Sequence, residues 1–480
     1  MESIVLKLAG RPQRAIVLLS LVLLLAGNWI LPLTDRDETR FAEASREMIQ
    51  RGDYVVPWFN GHWRFDKPIL IYWCQSASYR VLGENPFAAR LPSVLFTTAT
   101  ALLLVRWGRK VADARTAFMA GAMFLAGLHV AIIGRVATAD MAMVFLVTLA
   151  VWSGWELTRP ESPACRTWWW VFYLTLALGF LAKGPVAWLP FGGLVLGRLL
   201  RREAFRLPIV ETVLGLCLTG ALTALWGLPA MAQTNNEYLT VGLGVHVFQR
   251  STGVNDGHGL AGIFGFMALL PLYFLTFFVS FFPWSTRVPA TLRRWWPGRR
   301  ADDLGWYLLM QAFIVFAVFS CVRTKLPHYT LPAFPCIALW LALQLRAGEN
   351  SFRWFQKRFC VMAAVVLVLM VGGGALVRNY FLTERLWIAL APHVRPETKI
   401  GCYGFTESSL VWQFRGIITN NVTLGEEKQA KNFLTNSPPF ILVLPTKDAA
   451  ALGNTNGVQI QVHGFDMVKF KNWNLTAIVR

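Results

Sequence analysis

Charged side chains are scarce in this chain of 480 residues: 15% are Asp, Glu, Lys or Arg, against about a quarter in ordinary soluble domains. The scarcity is uneven. Residues 15–33 and 358–377 carry almost no charge, while the short segments between such stretches collect the arginines. Acidic residues are the rarer kind, 27 against 46 Lys and Arg, for a formal charge of +19. In a soluble chain that excess would point to nucleic acid. Beside long apolar runs it follows instead from the positive bias of cytoplasmic loops, and no nucleic-acid partner is inferred. The seven cysteines are odd in number, form no Cys-x-x-Cys pair and lie mostly inside apolar runs. That excludes a disulfide framework and a cysteine zinc site. There is also no Gly-rich phosphate loop or dinucleotide fingerprint, so no nucleotide site is expected.

Apolar runs are abundant. A run of about 20 residues crosses a bilayer core, and such runs lie near 14–33, 87–106, 115–134, 139–157, 167–182, 185–199, 207–232, 261–285, 304–321, 328–346 and 358–377. The expected fold class is therefore an α-helical polytopic membrane protein of about eleven transmembrane helices. The first run lacks a small-residue cleavage site and is followed by many more, so it reads as a retained helix. Taken alternately, the connecting segments place most arginines and lysines on one side, which is then cytoplasmic. The opposite short loops hold only Arg135, Lys183, Arg250, Arg323 and Lys325, and these exceptions invite a functional reason.

The expected domains are a transmembrane domain over 1–378, with its first external loop at 34–86, and a small external α/β domain over 379–480. In the latter, 399–405, 417–422, 440–444, 459–462 and 474–479 read as strands, and 407–414 and 426–434 as helices.

The first loop is rich in both charge signs. Phe41, Ala44, Ser45, Met48 and Ile49 recur at helical spacing until Gly52, with Glu43, Arg46, Glu47 and Gln50 on the opposite face. This predicts an amphipathic helix lying in the headgroup region, apolar side down. A second interfacial helix starts at Pro68 and ends before Gly83. Asp37, Glu38 and Arg40 open this platform, and Asp66 and Lys67 mark its hinge. Such residues are either solvated surface charges or a carboxylate and cation set suited to a phosphate-linked substrate.

The run Asp37-Glu38-Thr39-Arg40-Phe41-Ala42-Glu43, followed by Gly52-Asp53, Pro57, Asn60-Gly61 and Phe65-Asp66-Lys67-Pro68, resembles the first periplasmic loop of bacterial polyprenyl-phosphate-dependent glycosyltransferases. Its nearest likeness is to the lipid A aminoarabinose transferases, relatives of the protein O-mannosyltransferases. Phe41 stands where that family commonly has Tyr, and Asp66 where it commonly has Glu. The resemblance implies a GT-C type fold, with interfacial helices and an outer domain on the bundle. It also implies transfer with inversion of a sugar, such as 4-amino-4-deoxy-L-arabinose, from undecaprenyl phosphate to lipid A or another periplasmic lipid or glycan acceptor. The protein would sit in the bacterial inner membrane.

Later charges extend the pattern. Asp140 follows Arg135 in a short turn and reads either as a helix N-cap or as a functional carboxylate; the resemblance makes it the second active-site carboxylate beside Asp37. Lys183 before Gly184-Pro185 is either snorkelling or functional. The resemblance makes Lys67, Arg250 and Lys325 ligands of the carrier phosphate and adds Tyr329, with Glu38, Arg40 and Asp66 toward substrate. No cofactor is required, and Asp66 with His246 is the pair that would flank a divalent cation. The alternatives are transfer to Ser or Thr hydroxyls, as in protein O-mannosylation, and a lipid or ion transporter. A transporter would be expected to carry internal repeats, and none is evident.

Overall fold

The computed structural model describes residues 8–34, 36–159, 165–201, 208–249, 267–346, 349–452, 457–466 and 469–480. Among them, six helices are long and apolar enough to cross a membrane: Pro86–Val111, Asp140–Leu157, Arg166–Arg201, Ile209–Gln233, Asp303–Cys321 and Glu349–Arg378. A seventh is counted if Met267–Ser280 and Trp284–Gly298, bent by 110°, form one span. The chain is a multi-pass membrane protein.

Other expected spans are shorter or interrupted. The stretch near 115–134 is divided into Ala114–Leu125 and Leu128–Ile133, and at the break the Leu128 amide turns to the Phe282 carbonyl, 3.0 Å away. The stretch near 328–346 opens as a 3-10 turn, Pro327–Ala333, before Phe334–Leu345. Pro332 and Pro335 supply no amide to an α-helical ladder there.

Two compact units emerge, and they do not follow chain order. The first takes in 1–26, 65–71 and 91–367; the second takes in 27–64, 72–90 and 368–480, so the first loop, apart from 65–71, belongs with the C-terminal segment.

In the first unit, glycines let helices approach closely. A Cβ on Gly215 would strike the Tyr173 ring, and one on Gly154 would strike the hydroxyl of Tyr307. Helix starts are capped by aspartates: Asp113 accepts from the amides of Arg115 and Thr116 at 2.8 and 3.0 Å, and Asp302 accepts from Gly305 at 2.8 Å. Each satisfies amides that a first turn leaves open.

The second unit has a short hairpin, β1 (Trp58–Phe59) and β2 (His62–Trp63), and a five-stranded sheet. The sheet's strands are β3 (Lys399–Tyr403), β4 (Thr423–Gly425), β5 (Phe440–Pro445), β6 (Val458–Asp466) and β7 (Lys471–Val479), in the order β4-β3-β5-β7-β6. β4, β3 and β5 run parallel, and β7 turns antiparallel to both β5 and β6. All of β5 is buried, as a central strand covered on both faces requires. Ile441 and Val443 pack with Leu386, Leu410 and Phe414 on one face, and Phe440, Leu442 and Leu444 with Phe433 on the other.

The expected strand at 417–422 is a turn instead. The amides of Ile417 and Ile418 return to the Phe414 carbonyl, and Val422 pairs with the Asn60 side chain rather than with a strand. Strand pairing begins only where Thr423 meets Gly401.

Candidate active site

In the first unit, Asp140 is the first residue of the helix Asp140–Leu157 and is 6% exposed. Its Oδ1 pairs with Lys183 Nζ and lies 4.0 Å from His328 Nε2. Lys183 ends the α-helical part Cys165–Lys183 of the span Arg166–Arg201, and Gly184, at φ 77°, opens the 3-10 turn Gly184–Trp188, a backbone state that costs glycine nothing. The Lys183 ammonium also sits 5.5 Å from the Tyr329 ring centroid. A buried carboxylate thus holds a cation at a fixed place.

That place borders a cavity of about 500 Å³, lined by Asp66, Lys67, Lys183 and Tyr329 together with apolar groups such as Phe180, Trp188, Trp226 and Leu228. Lys67 Nζ donates to the Asp66 carbonyl at 3.0 Å. Cations set against apolar walls suit an anionic head on an apolar tail.

Lys325 has a different setting. Its ammonium, 7% exposed, donates to the carbonyls of Phe319 and Ser320 at 2.9 and 2.6 Å, at the end of the helix Asp303–Cys321 where carbonyls lack helical partners. Burial lowers its pKa from the ordinary lysine value. Arg135 is likewise directed to the carbonyls of Leu23 and Ala26, where the π-helical turn Leu21–Leu25 ends. Arg250 lies outside the described residues, as does the side chain of His246 in the helical stretch Tyr238–Gln249. Among the described residues, no three His, Cys, Asp or Glu side chains converge as for a metal.

In the second unit, Asp37, Glu38 and Arg40 open the helix Asp37–Arg51, which Gly52 ends at φ 68°. Most of its charges have been given partners. Glu38 is held by a two-bond Arg90 fork at 2.8 Å and by Thr34, while Arg90 also binds the carbonyls of Asn28, Leu31 and Pro32. Glu43 pairs with Arg46, which donates to the Trp412 carbonyl at 3.0 Å. Glu47 binds Arg51 and the amides of Asn60 and Gly61, with Arg415 at 3.8 Å. The helix start is held as well: Ser408 Oγ donates to the Arg36 carbonyl at 3.1 Å and meets Thr39 Oγ1 at 2.6 Å.

Glu43, Arg46 and Glu47 are therefore buried, whereas the sequence reading placed them on the wet face of an interfacial helix; Gln50 alone of that set is exposed. The C-terminal helix Ser408–Arg415 covers them. Asp37 remains exposed and Arg40 half-buried, and among the described residues neither has an ion-pair partner.

The structure thus brings Lys67, Asp66 and Tyr329 to one cavity and joins Asp140 to it through Lys183. The sequence leaves Lys183 open between snorkelling and function and does not single out His328. Lys183 did carry a signal, as a cation on the side that positive bias leaves bare. His328 carried only its place in the Lys325 to Tyr329 stretch.

Helices of this order with a small five-stranded sheet match the GT-C class of membrane glycosyltransferase folds. Within it, the chain is similar over 96% of its length, and 97% of the other's, to ArnT from Cupriavidus metallidurans in a crystal structure bound to undecaprenyl phosphate, with TM-score 0.79 and 18% identity. An oligosaccharyltransferase from Archaeoglobus fulgidus is more distant, at TM-score 0.51 and 11% identity over 87% of this chain and 64% of that one. The Dolichyl-phosphate-mannose-protein mannosyltransferase family matches residues 66–226. In sequence, the chain is 33% identical over 362 residues to the undecaprenyl phosphate-alpha-4-amino-4-deoxy-L-arabinose arabinosyl transferase of Aeromonas salmonicida, covering 71% of this chain and 64% of that protein. It is 30% identical over 365 residues to the protein of that name from Edwardsiella ictaluri, covering 74% and 64%. The likeness read from the first loop is borne out, and the chain spans somewhat under two thirds of the length of these two relatives.

Proposed function

We propose that this chain is an inner-membrane glycosyltransferase that moves a sugar of the 4-amino-4-deoxy-L-arabinose type from undecaprenyl phosphate to lipid A or a similar periplasmic acceptor. The observation that carries this reading is the cavity itself, apolar along its walls and bordered by Lys67 and by the Lys183 that Asp140 holds. Such a setting suits an isoprenoid phosphate.

In the reaction, an acceptor oxygen attacks the anomeric carbon while the bond from that carbon to the carrier phosphate breaks. The released undecaprenyl phosphate keeps the electron pair. Lys67 and Lys183 meet the charge growing on the phosphate, with Arg250 and Lys325 as further candidates, and Tyr329 borders the same space. Asp140 fixes Lys183 and supplies negative charge for the sugar carbon as it becomes cationic. Asp37 orients or activates the acceptor, with Arg40 free to pair with an anionic one. Glu38 serves through Arg90, by holding the helix that carries Asp37. Lysine charge on the leaving phosphate removes the need for a divalent ion between Asp66 and His246, so purified enzyme treated with EDTA should retain turnover.

The test is reconstitution. Purified protein given undecaprenyl phosphate aminoarabinose and lipid A should yield lipid A heavier by one aminoarabinose residue in mass spectrometry; unchanged lipid A, with donor intact, sinks the reading. The family match over 66–226 favours a second reading, transfer to Ser or Thr hydroxyls. Asp37→Asn separates the two. A phosphate acceptor is already anionic because its second pKa is about 6, so the variant should keep measurable activity that varies weakly between about pH 7 and 9. A hydroxyl needs a base, and then almost no activity should survive.

A further inference from the structure

Sharing no lining residue with the cavity just described, a groove of about 790 Å³ runs between the first helix, Pro12–Ser20, and the helix Pro86–Val111. Each helix contributes one stripe at helical spacing: Arg14, Val17 and Leu18 from the first, Leu102, Leu103 and Arg106 from the second. Both helices close on Gly121 of the helix Ala114–Leu125, where Ile16 and Val105 approach within about 3 Å of the position a Cβ would take. The residues beside those contacts face outward and form the walls of the groove. Val17 and Leu18 are 38% and 56% exposed.

Arg14 and Arg106 both lie at one end of this apolar slot, and both are exposed. Among the described residues neither guanidinium has a carboxylate or carbonyl partner. Other arginines in the same unit are handled differently: Arg135 caps a helix end, and Arg201 is paired with Asp303. Two neighbouring cations without counter-charge at the mouth of a lipid-facing slot repel each other unless an anion sits between them. A bare phosphate would use only the mouth. A phospholipid also lays its acyl chains along Val17, Leu18, Leu102 and Leu103.

We propose that this groove is a binding site for an anionic phospholipid, with Arg14 and Arg106 on its phosphate. Basic pockets between membrane helices have this chemistry, and guanidinium forks match phosphate oxygens. The site is separate from the one proposed to hold the sugar carrier, so its failure leaves that reading untouched.

The test is native mass spectrometry of the full-length protein, released from detergent with phosphatidylglycerol or cardiolipin and, in parallel, with phosphatidylcholine. The expected result is a retained anionic lipid and little retained phosphatidylcholine. Arg14→Gln/Arg106→Gln should weaken anionic-lipid retention roughly tenfold or more. Arg293→Gln/Arg294→Gln, which removes the same charge from another exposed helix, should leave it unchanged. Equal retention of phosphatidylcholine overturns the proposal. So does wild-type retention by the first double variant, or an equal loss in the second, since the latter would reduce the effect to net charge. Inorganic phosphate that competes as well as the lipid would also overturn it, because the acyl groove would then contribute nothing.

Discussion

Asp140 is buried and Lys183 is its ion-pair partner, so removing the lysine alone leaves a carboxylate out of water without its nearest counter-charge. Breaking such a pair costs about 3–5 kcal/mol, whereas replacing both members with uncharged groups of similar size is often neutral. Lys183→Met should therefore lower the unfolding temperature in detergent markedly, and Asp140→Asn/Lys183→Met should recover most of it while remaining inactive. A single variant as stable as wild type would mean that water or His328 already compensates the carboxylate. Lys67 and Lys325 form a second contrast. Lys67 borders the cavity and Lys325 is turned into the end of a helix. Lys67→Ala should fold normally and lose roughly 2–4 kcal/mol of barrier lowering, by analogy with loss of an oxyanion donor. Lys325→Met should chiefly lose stability. If it folded normally and lost only turnover, Lys325 would be acting on the carrier phosphate as the sequence resemblance implies.

At the scale of elements, the helix Asp37–Arg51 is fixed by the C-terminal segment through groups some 370 positions away in the chain, such as Ser408. Its polar face meets the helix Ser408–Arg415, and the charges there are not neutral spectators. Burial pushes the Glu43 carboxyl up to about 8, against the pull of Arg46 and with the push of neighbouring Glu47, while Arg415 lowers it. A raised carboxyl is protonated in the folded state over a range where the unfolded chain has already released its proton. Stability therefore falls as pH rises from about 4.5 toward 8 and levels off above that. Hydrogen exchange across Asp37–Arg51 should accelerate, relative to the intrinsic rate, between pH 5 and 8. Glu43→Gln should flatten that dependence, and an unchanged slope would place its origin elsewhere. The helix itself was legible, its periodicity and the Gly52 stop being local features. What covers its charged face was not, because amphipathic spacing reports two faces and cannot say whether lipid, water or another helix meets the polar one. Strands β3, β5 and β7 were legible from apolar runs, but 417–422 read as a strand since Ile418 and Val422 are buried there without any ladder. In the site, Asp140 announced itself as a charge where hydropathy forbids one, yet its partner lies 43 residues on and only the fold joins them.

For the whole molecule, the direction of insertion is read from the excess of Lys and Arg in the segments on one side. Of the five exceptions on the proposed outer side, Arg135 is taken up by helix-end carbonyls, Lys325 by another helix end, and Lys183 by Asp140. Those three are buried or nearly so. Arg293 and Arg294, on the side read as cytoplasmic, are exposed. The asymmetry of the connecting segments is the ground for proposing that the first loop and the C-terminal sheet face the periplasm. Gln50 and Asn420 are exposed positions in those two segments. In intact spheroplasts, a membrane-impermeant maleimide should label Gln50→Cys and Asn420→Cys, and should reach Arg294→Cys only after permeabilisation, with Cys217 and Cys321, exposed in the native chain, replaced by serine. The reverse pattern would turn the protein over, put Lys67 and Asp140 on the cytoplasmic side, and remove the periplasmic acceptor from the proposed reaction.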